Sequence, residues 1–225
     1  MDASIENLLG LNRSSSNEEI RDRAFACALE AGSLIVSTLS ADGHSPRSRP
    51  LDLHRLDDEG NLYLAVSQGK RVHTELMKNP HIACAGVCPL EGTRGLSVRI
   101  EAEAEPVSDF RYINRYWRQN PEARALYRQD LGSVRIFRLA RGCGELFLTD
   151  GERSALRFRF GFGGVQPRPW RYRISEDCIG CGVCAGQCTM SVIGLIDGVS
   201  VIDHSGCIEC GRCYASCPYG AIRMG

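Results

Sequence analysis

The chain has 225 residues, with 27 Lys and Arg against 27 Asp and Glu and no formal net charge. That length holds one domain plus a small module, and the charge balance leaves no broad field to draw in nucleic acid or a membrane surface. No apolar run approaches membrane-spanning length, and residues 1–10 carry Asp2 and Glu6 without an apolar signal core. The expectation is a soluble, cytoplasmic protein with no nucleic-acid or membrane partner.

Ser16-Asn17-Glu18-Glu19 has the capping-box pattern, so a helix is expected from there to about residue 31. Its buried stripe is Ile20, Ala24, Cys27, Ala28 and Ala31, and Gly32 ends it. Strands follow at 34–40 and 46–56, joined by a turn at 41–44, and a second turn at 57–61 leads into a strand at 62–67. A short helix at 71–78 stops before Asn79-Pro80. Further strands are expected at 81–87 and 96–105. The second alternates Val98, Ile100, Ala102 and Ala104 with Arg99, Glu101, Glu103 and Glu105. Helical pieces at 109–118 and 121–128 precede strands at 134–140, 144–149 and 155–160. In the last of these, Leu156, Phe158 and Phe160 read as the core face and Arg157 and Arg159 as the exposed face. Short antiparallel strands with few helices predict an α+β, mainly β domain over 1–160, built as a small β-barrel. Residues 161–170, rich in glycine and proline, read as a hinge-like linker to a module at 171–225, whose arginines dock that module or an acidic redox partner.

Eight of the twelve cysteines lie in that module. Cys178, Cys181, Cys184 and Cys188 form one run. Cys207, Cys210, Cys213 and Cys217 form the other, with Pro218 directly after. Each run reads C-x-x-C-x-x-C-x-x-x-C, the spacing that holds an iron–sulfur cluster, with the fourth cysteine of each run reaching the other cluster. One [4Fe-4S] centre is thereby expected on Cys178, Cys181, Cys184 and Cys217, and a second on Cys207, Cys210, Cys213 and Cys188. Zinc takes four ligands, usually as two pairs, and the third close cysteine of each run overfills that plan. The module is an internal repeat of strand, cysteine run and short helix, with 172–174 and 221–223 as its paired terminal strands.

Residues 172–224 resemble the bacterial-type two-cluster ferredoxins along their whole length, except that Thr189 follows Cys188 where such ferredoxins usually have proline. The first 160 residues resemble the pyridoxamine 5′-phosphate oxidase-related, FMN-binding split-barrel family. The series that carries this is Leu34-Ile-Val-Ser-Thr-Leu-Ser-Ala-Asp-Gly-His, Pro46-Arg-Ser-Arg-Pro-Leu, Leu62-Tyr-Leu-Ala-Val-Ser-Gln-Gly-Lys-Arg-Val and Leu76-Met-Lys-Asn-Pro. The resemblance implies a homodimer with two sites at the subunit interface. It also implies that Arg47, Ser48, Arg49, Pro50 and Leu51 lie along a flavin ring, and that Ser67, Gln68, Lys70 and Arg71 hold the FMN phosphate.

The residues make independent sense of an anion site there. Helix N-termini present free N–H groups to anions, and Lys70 and Arg71 add two cations at such a start, Lys70 as a point charge and Arg71 as a bidentate fork. A basic turn at a helix start opposes the helix dipole unless an anion is present; the alternative is a solvated surface loop. Arg47 and Arg49 share one strand face, where either could stabilise an anionic reduced flavin, or they are ordinary surface charges. Cys27, Cys84, Cys88 and Cys143 read as small buried hydrophobes. His54, His73 and His81 form no ligand spacing, and no side chain reads as an acid–base catalyst.

The expected function is an oxidoreductase joining two-electron FMN chemistry to one-electron transfer through two [4Fe-4S] clusters. A ferredoxin-like redox partner and a small-molecule acceptor complete the scheme. Two alternatives stay open: a dimeric ferredoxin-type electron carrier whose barrel binds no flavin, and a redox sensor whose barrel holds F420 or haem.

Overall fold

The computed structural model describes residues 9–56, 60–89, 95–149 and 155–225. The expected turn at 57–61 lies largely outside the described residues. Helix α1 (Asn17–Glu30) starts on the capping box: the Ser16 hydroxyl accepts from the Glu19 amide, and the Glu19 carboxylate accepts from the Ser16 amide. It buries Ile20, Ala24, Cys27 and Ala28 as expected, together with Phe25, while Ala31, expected on the same stripe, is the half-buried C-cap.

Strands β1 (Ser33–Leu39) and β2 (Pro46–Asp52) form a hairpin. The expected long second strand breaks at Leu53, which is buried, and resumes as the two-residue β3 (His54–Arg55). β4 (Leu62–Ser67), α2 (Arg71–Lys78), β5 (His81–Cys88) and β6 (Leu96–Pro106) follow within one residue of expectation. Then come α3 (Phe110–Gln119), α4 (Pro121–Leu126), β7 (Val134–Thr149) and β8 (Ala155–Phe162). These strands make one antiparallel sheet in the order β2-β1-β5-β6-β7-β4-β3, with β8 on β7. The sheet curls round a core that includes Leu34, Val36, Leu64, Val98, Ile100, Leu146 and Phe160, capped by α1 through edge-on contacts of Phe25 with Phe160 and Phe162.

Two expected strands, 134–140 and 144–149, are one strand of 16 residues. Gly142, between the two expected strands, and Gly144, at the start of the second, serve close approach. A Cβ on Gly142 would stand 2.1 Å from the Glu101 carbonyl oxygen, and one on Gly144 would stand 2.4 Å from both the Arg99 carbonyl oxygen and the Phe160 ring. Glycine inside a strand commonly marks such an approach. The 16-residue span lets β7 pair with β4 through its first part and with β8 through its second.

The C-terminal module is two short ladders and two five-residue helices. β9 (Tyr172–Ile174) pairs with β12 (Ile222–Met224), as expected of the terminal strands, and β10 (Ile193–Ile196) pairs with β11 (Val199–Ile202). Helices α5 (Val183–Gln187) and α6 (Arg212–Ser216) each begin after a left-handed glycine, Gly182 and Gly211. The repeat is visible in the backbone, since Gly180 and Glu209 occupy equivalent left-handed positions and so do Ser191 and Gly220.

The linker is fastened to the barrel along its length. The Asn17 side chain both donates to and accepts from the Gly161 backbone, at 3.0 and 2.8 Å. Arg168 pairs with Glu101 on β6, and Arg159 donates to the Pro169 carbonyl at 2.5 Å. The hinge expected from its composition is thus occupied by specific hydrogen bonds.

Replacing Gly142 with alanine is expected to lower stability by about 1–3 kcal/mol, the range for overpacking. Urea unfolding of the full chain, followed by tryptophan fluorescence, measures it; an unchanged midpoint would mean β6 and β7 can separate at no cost.

Candidate functional site

Each set of four cysteines gathers about its own cavity, with the fourth cysteine of each run exchanged between the two. One cavity is lined by Cys178, Cys181, Cys184 and Cys217. A second is lined by Cys188, Cys207, Cys210 and Cys213. Among the described residues no three Cys, His, Asp or Glu side chains gather as tightly as one metal ion requires. A single zinc would need its sulfurs about 2.3 Å from a common point. Four thiols spread around an apolar cavity suit the corners of a four-iron cubane instead.

The backbone is turned toward the sulfurs. The Glu209 amide donates to Cys207 Sγ and the Ala221 amide to Cys217 Sγ, both at 3.3 Å. Amides of Ser200 and Gly180 lower the Cys178 pKa in the same way, whereas burial raises those of Cys207 and Cys213. Hydrogen bonds to sulfur tune a cluster's potential, and the two sets differ in them.

The barrel site is built by β2 and the start of α2. Opposite residues of an antiparallel pair share a face. Thr38 faces Arg47 and Val36 faces Arg49, so both arginines lie on the same face as the buried Val36 and Thr38. There they meet Glu75, which is 2% exposed. Arg49 donates to Glu75 at 2.7 Å and to Thr38 at 2.5 Å, Thr38 donates to Glu75 at 2.6 Å, and Arg47 Nε lies 3.5 Å from the same carboxylate.

An open cavity is bordered by all of Arg47, Ser48, Arg49, Pro50 and Leu51, and by Lys70 and Arg71. Lys70 caps α2 without a side-chain hydrogen bond, and the first turn carries no acid, so unpaired N–H groups and two cations face one space. Gln68 is engaged elsewhere: its side chain donates to the Gly132 carbonyl at 2.9 Å. Ser67 ends β4, paired with Val134, and neither Ser67 nor Gln68 borders the cavity.

Sequence reasoning alone misses Glu75. The signal that could have found it is a glutamate in the apolar i, i+3, i+4 stripe formed with Val72 and Leu76. Among the cysteines of the barrel, Cys27, Cys84 and Cys88 are buried as expected, while Cys143 is half-buried. Burial raises Cys27 and Cys84 to about 12.

One expectation fails. Arg157 and Arg159 are not on a solvated face, since each side chain is only 8% exposed. They lie on the outer face of the sheet, but the C-terminal module covers them. Arg157 bonds Glu145 at 3.1 Å and Glu209 at 2.7 Å; Arg159 bonds the same two carboxylates at 3.2 and 2.8 Å. Arg159 also lies over the Trp170 ring, which stacks on His204 with centroids 5.0 Å apart. Burial opposes ionisation of Glu209, but the Arg171 amide, Arg159 and Arg157 outweigh it and hold its carboxyl below the ordinary range.

Residues 175–222 match the model of the 4Fe-4S dicluster domain. The chain is 33% identical over 57 residues to ferredoxin-2 of Chlorobaculum tepidum, an alignment that covers 23% of this chain and 92% of that one. It is 38% identical over 47 residues to a component of the ion-translocating oxidoreductase complex of Methanosarcina acetivorans, covering 21% of this chain and only 18% of that protein's length. A crystal structure of a NimC/NimA family protein from Clostridium acetobutylicum superposes with a TM-score of 0.54 at 20% identity, covering 72% of this chain and 100% of that one. At that identity the likeness is one of fold, and the fold is the split barrel. No described helix is long and apolar enough to cross a membrane.

Replacing Glu75 with glutamine is expected to cost about 1–3 kcal/mol, because it weakens the pairing of two partly buried arginines. Chemical denaturation of the full chain reads this directly; a loss near zero would show that Arg49 finds another partner.

Proposed function

Through residues 175–222 the chain belongs to the 4Fe-4S dicluster family of ferredoxins, and from that premise we propose a flavin- and iron–sulfur-dependent oxidoreductase. Its module is a ferredoxin-type electron-transfer domain. In this reading Cys178, Cys181, Cys184 and Cys217 hold one cluster, Cys188, Cys207, Cys210 and Cys213 hold the other, and the barrel holds FMN. FMN, when bound, supplies a two-electron centre, and the clusters supply one-electron centres.

The observation that carries the barrel reading is the single cavity bordered by 47–51 and by Lys70 and Arg71. Two segments distant in sequence meet there, at a helix start whose cations lack an acidic partner in its first turn. Lys70 and Arg71, with the first amides of α2, bind the phosphate. Glu75 holds Arg49 in place, while Arg47, nearly half exposed, remains available to the ring edge. Homodimerisation is part of the same reading. β2 is an edge strand of the sheet, and Ile35 and Val87 are exposed on β1 and β5, which suits packing of a second copy there. The electron partner is a ferredoxin-like protein, and the final acceptor or donor is a small molecule.

Alanine at both Lys70 and Arg71 tests the phosphate site. FMN fluorescence quenching on the anaerobically purified protein should show binding weakened by roughly tenfold or more, the loss of two charge-assisted contacts. Affinity equal to that of the unmodified protein would remove the phosphate site from this turn. No FMN binding by either protein would favour the electron carrier whose barrel holds no flavin.

A further inference from the structure

The two halves of the module repeat one another, and they differ at one position that the barrel exploits. In the first half the residue just before the second cysteine is Gly180, with φ +67. A Cβ there would stand 2.1 Å from the Gly198 carbonyl oxygen, so only glycine fits. Its counterpart in the second half is Glu209, a non-glycine residue in the same left-handed conformation, with φ +54. L-residues rarely adopt that backbone, and where they do the surroundings must hold it.

The surroundings are the barrel. From this backbone the Glu209 carboxylate reaches both Arg157 and Arg159 on β8 and accepts from the Arg171 amide at 3.0 Å. Meanwhile its own amide donates to Cys207 Sγ. One residue thus contacts a cysteine of the second set through its main chain and the barrel through its side chain.

Its neighbours dock on the same side. Gly206 lies against the Ala155 carbonyl, Asp203 pairs with Arg13, and His204 stacks on Trp170. Among the described residues, the first half makes no comparable use of its loop. Around the first cysteine set Ile179 and Tyr219 are 61% and 57% exposed.

We propose that Glu209 is a positioning residue that locks the loop carrying Cys207 and Cys210 to β8. The lock makes the second cysteine set the one held against the barrel. It leaves the first set, rimmed by Ile179 and Tyr219, as the face presented to an external one-electron protein. This assignment of faces rests on the cysteines being cluster ligands. Clusters held by the two sets would supply one-electron centres.

Two variants test it on the full chain, purified without oxygen. Glu209→Gly installs the residue that the first half already tolerates, so iron content should stay at the unmodified level while the lock is lost. Amide hydrogen exchange over 163–171 and 203–209 should then quicken by roughly tenfold or more, as expected when a buried charge pair is broken. Glu209→Gln keeps shape and removes charge, and should fall between the two. A potentiometric titration followed by electron paramagnetic resonance should show one cluster's potential moving in Glu209→Gly and the other's staying. Unchanged exchange in both variants overturns the lock. So does iron loss with unchanged exchange, which would make Glu209 a support of the cluster alone. Both potentials moving together would overturn the assignment of the second set to the barrel side. If the unmodified protein carries no iron, the cluster reading fails, while the exchange result still judges the lock.

Discussion

Two arginines buried on one strand set the arrangement of the whole chain. Arg157 and Arg159 sit on the outer face of β8, where, among the described residues, the carboxylate that the barrel itself supplies is Glu145 on the neighbouring strand. A buried cation without its counter-charge is costly, and removing one partner of such a pair typically destabilises by about 3–5 kcal/mol. The second carboxylate is Glu209, from the C-terminal module. Barrel and module therefore complete each other's electrostatics, and the linker between them is fastened rather than slack. A ferredoxin on a loose tether would sample many orientations. This one is held by charge pairs, a stacked Trp170–His204 contact and a backbone bent into a position that L-residues rarely take.

The same device recurs at the other end of the strand path. On β2 and α2 the buried Glu75 engages Arg49 fully and Arg47 partly, so one carboxylate satisfies the inner guanidinium and leaves Arg47, Lys70 and Arg71 around an open cavity. Pairing decides which cations are structural and which remain available to an anion. The sites lie far apart along the order β2-β1-β5-β6-β7-β8, so the docking of the module decides which barrel surface its cysteines can face.

Much of this was legible in the sequence because the signals were local. The capping box at Ser16, the alternation in β6 and the Asn79-Pro80 stop each act within a few residues, and each appears where expected. The cysteine runs are equally local, and their eight thiols gather about two cavities. What escaped depended on distant chain. Gly142 and Gly144 interrupt the strand pattern unless one knows that β6 carbonyls and Phe160 press on them. Arg157 and Arg159 alternate like a solvated strand face, because alternation reports which face points outward but not what later covers it. Glu75 lies in the apolar stripe of its helix, but nothing local shows that Arg49 will reach it from β2. The linker's glycines and prolines suggest a hinge, and composition cannot reveal that Asn17, far earlier in the chain, bonds Gly161.

If one chain carries two iron–sulfur clusters and a flavin in a single docked unit, its cofactor content must show it. The most direct measurement is the amount of iron, acid-labile sulfide and flavin per chain after purification without oxygen, with FMN offered in excess and then removed. The expected result is about eight irons, about eight sulfides and about one FMN. Full iron and sulfide with no retained flavin would contradict it and leave an electron-carrying module on a barrel with another purpose.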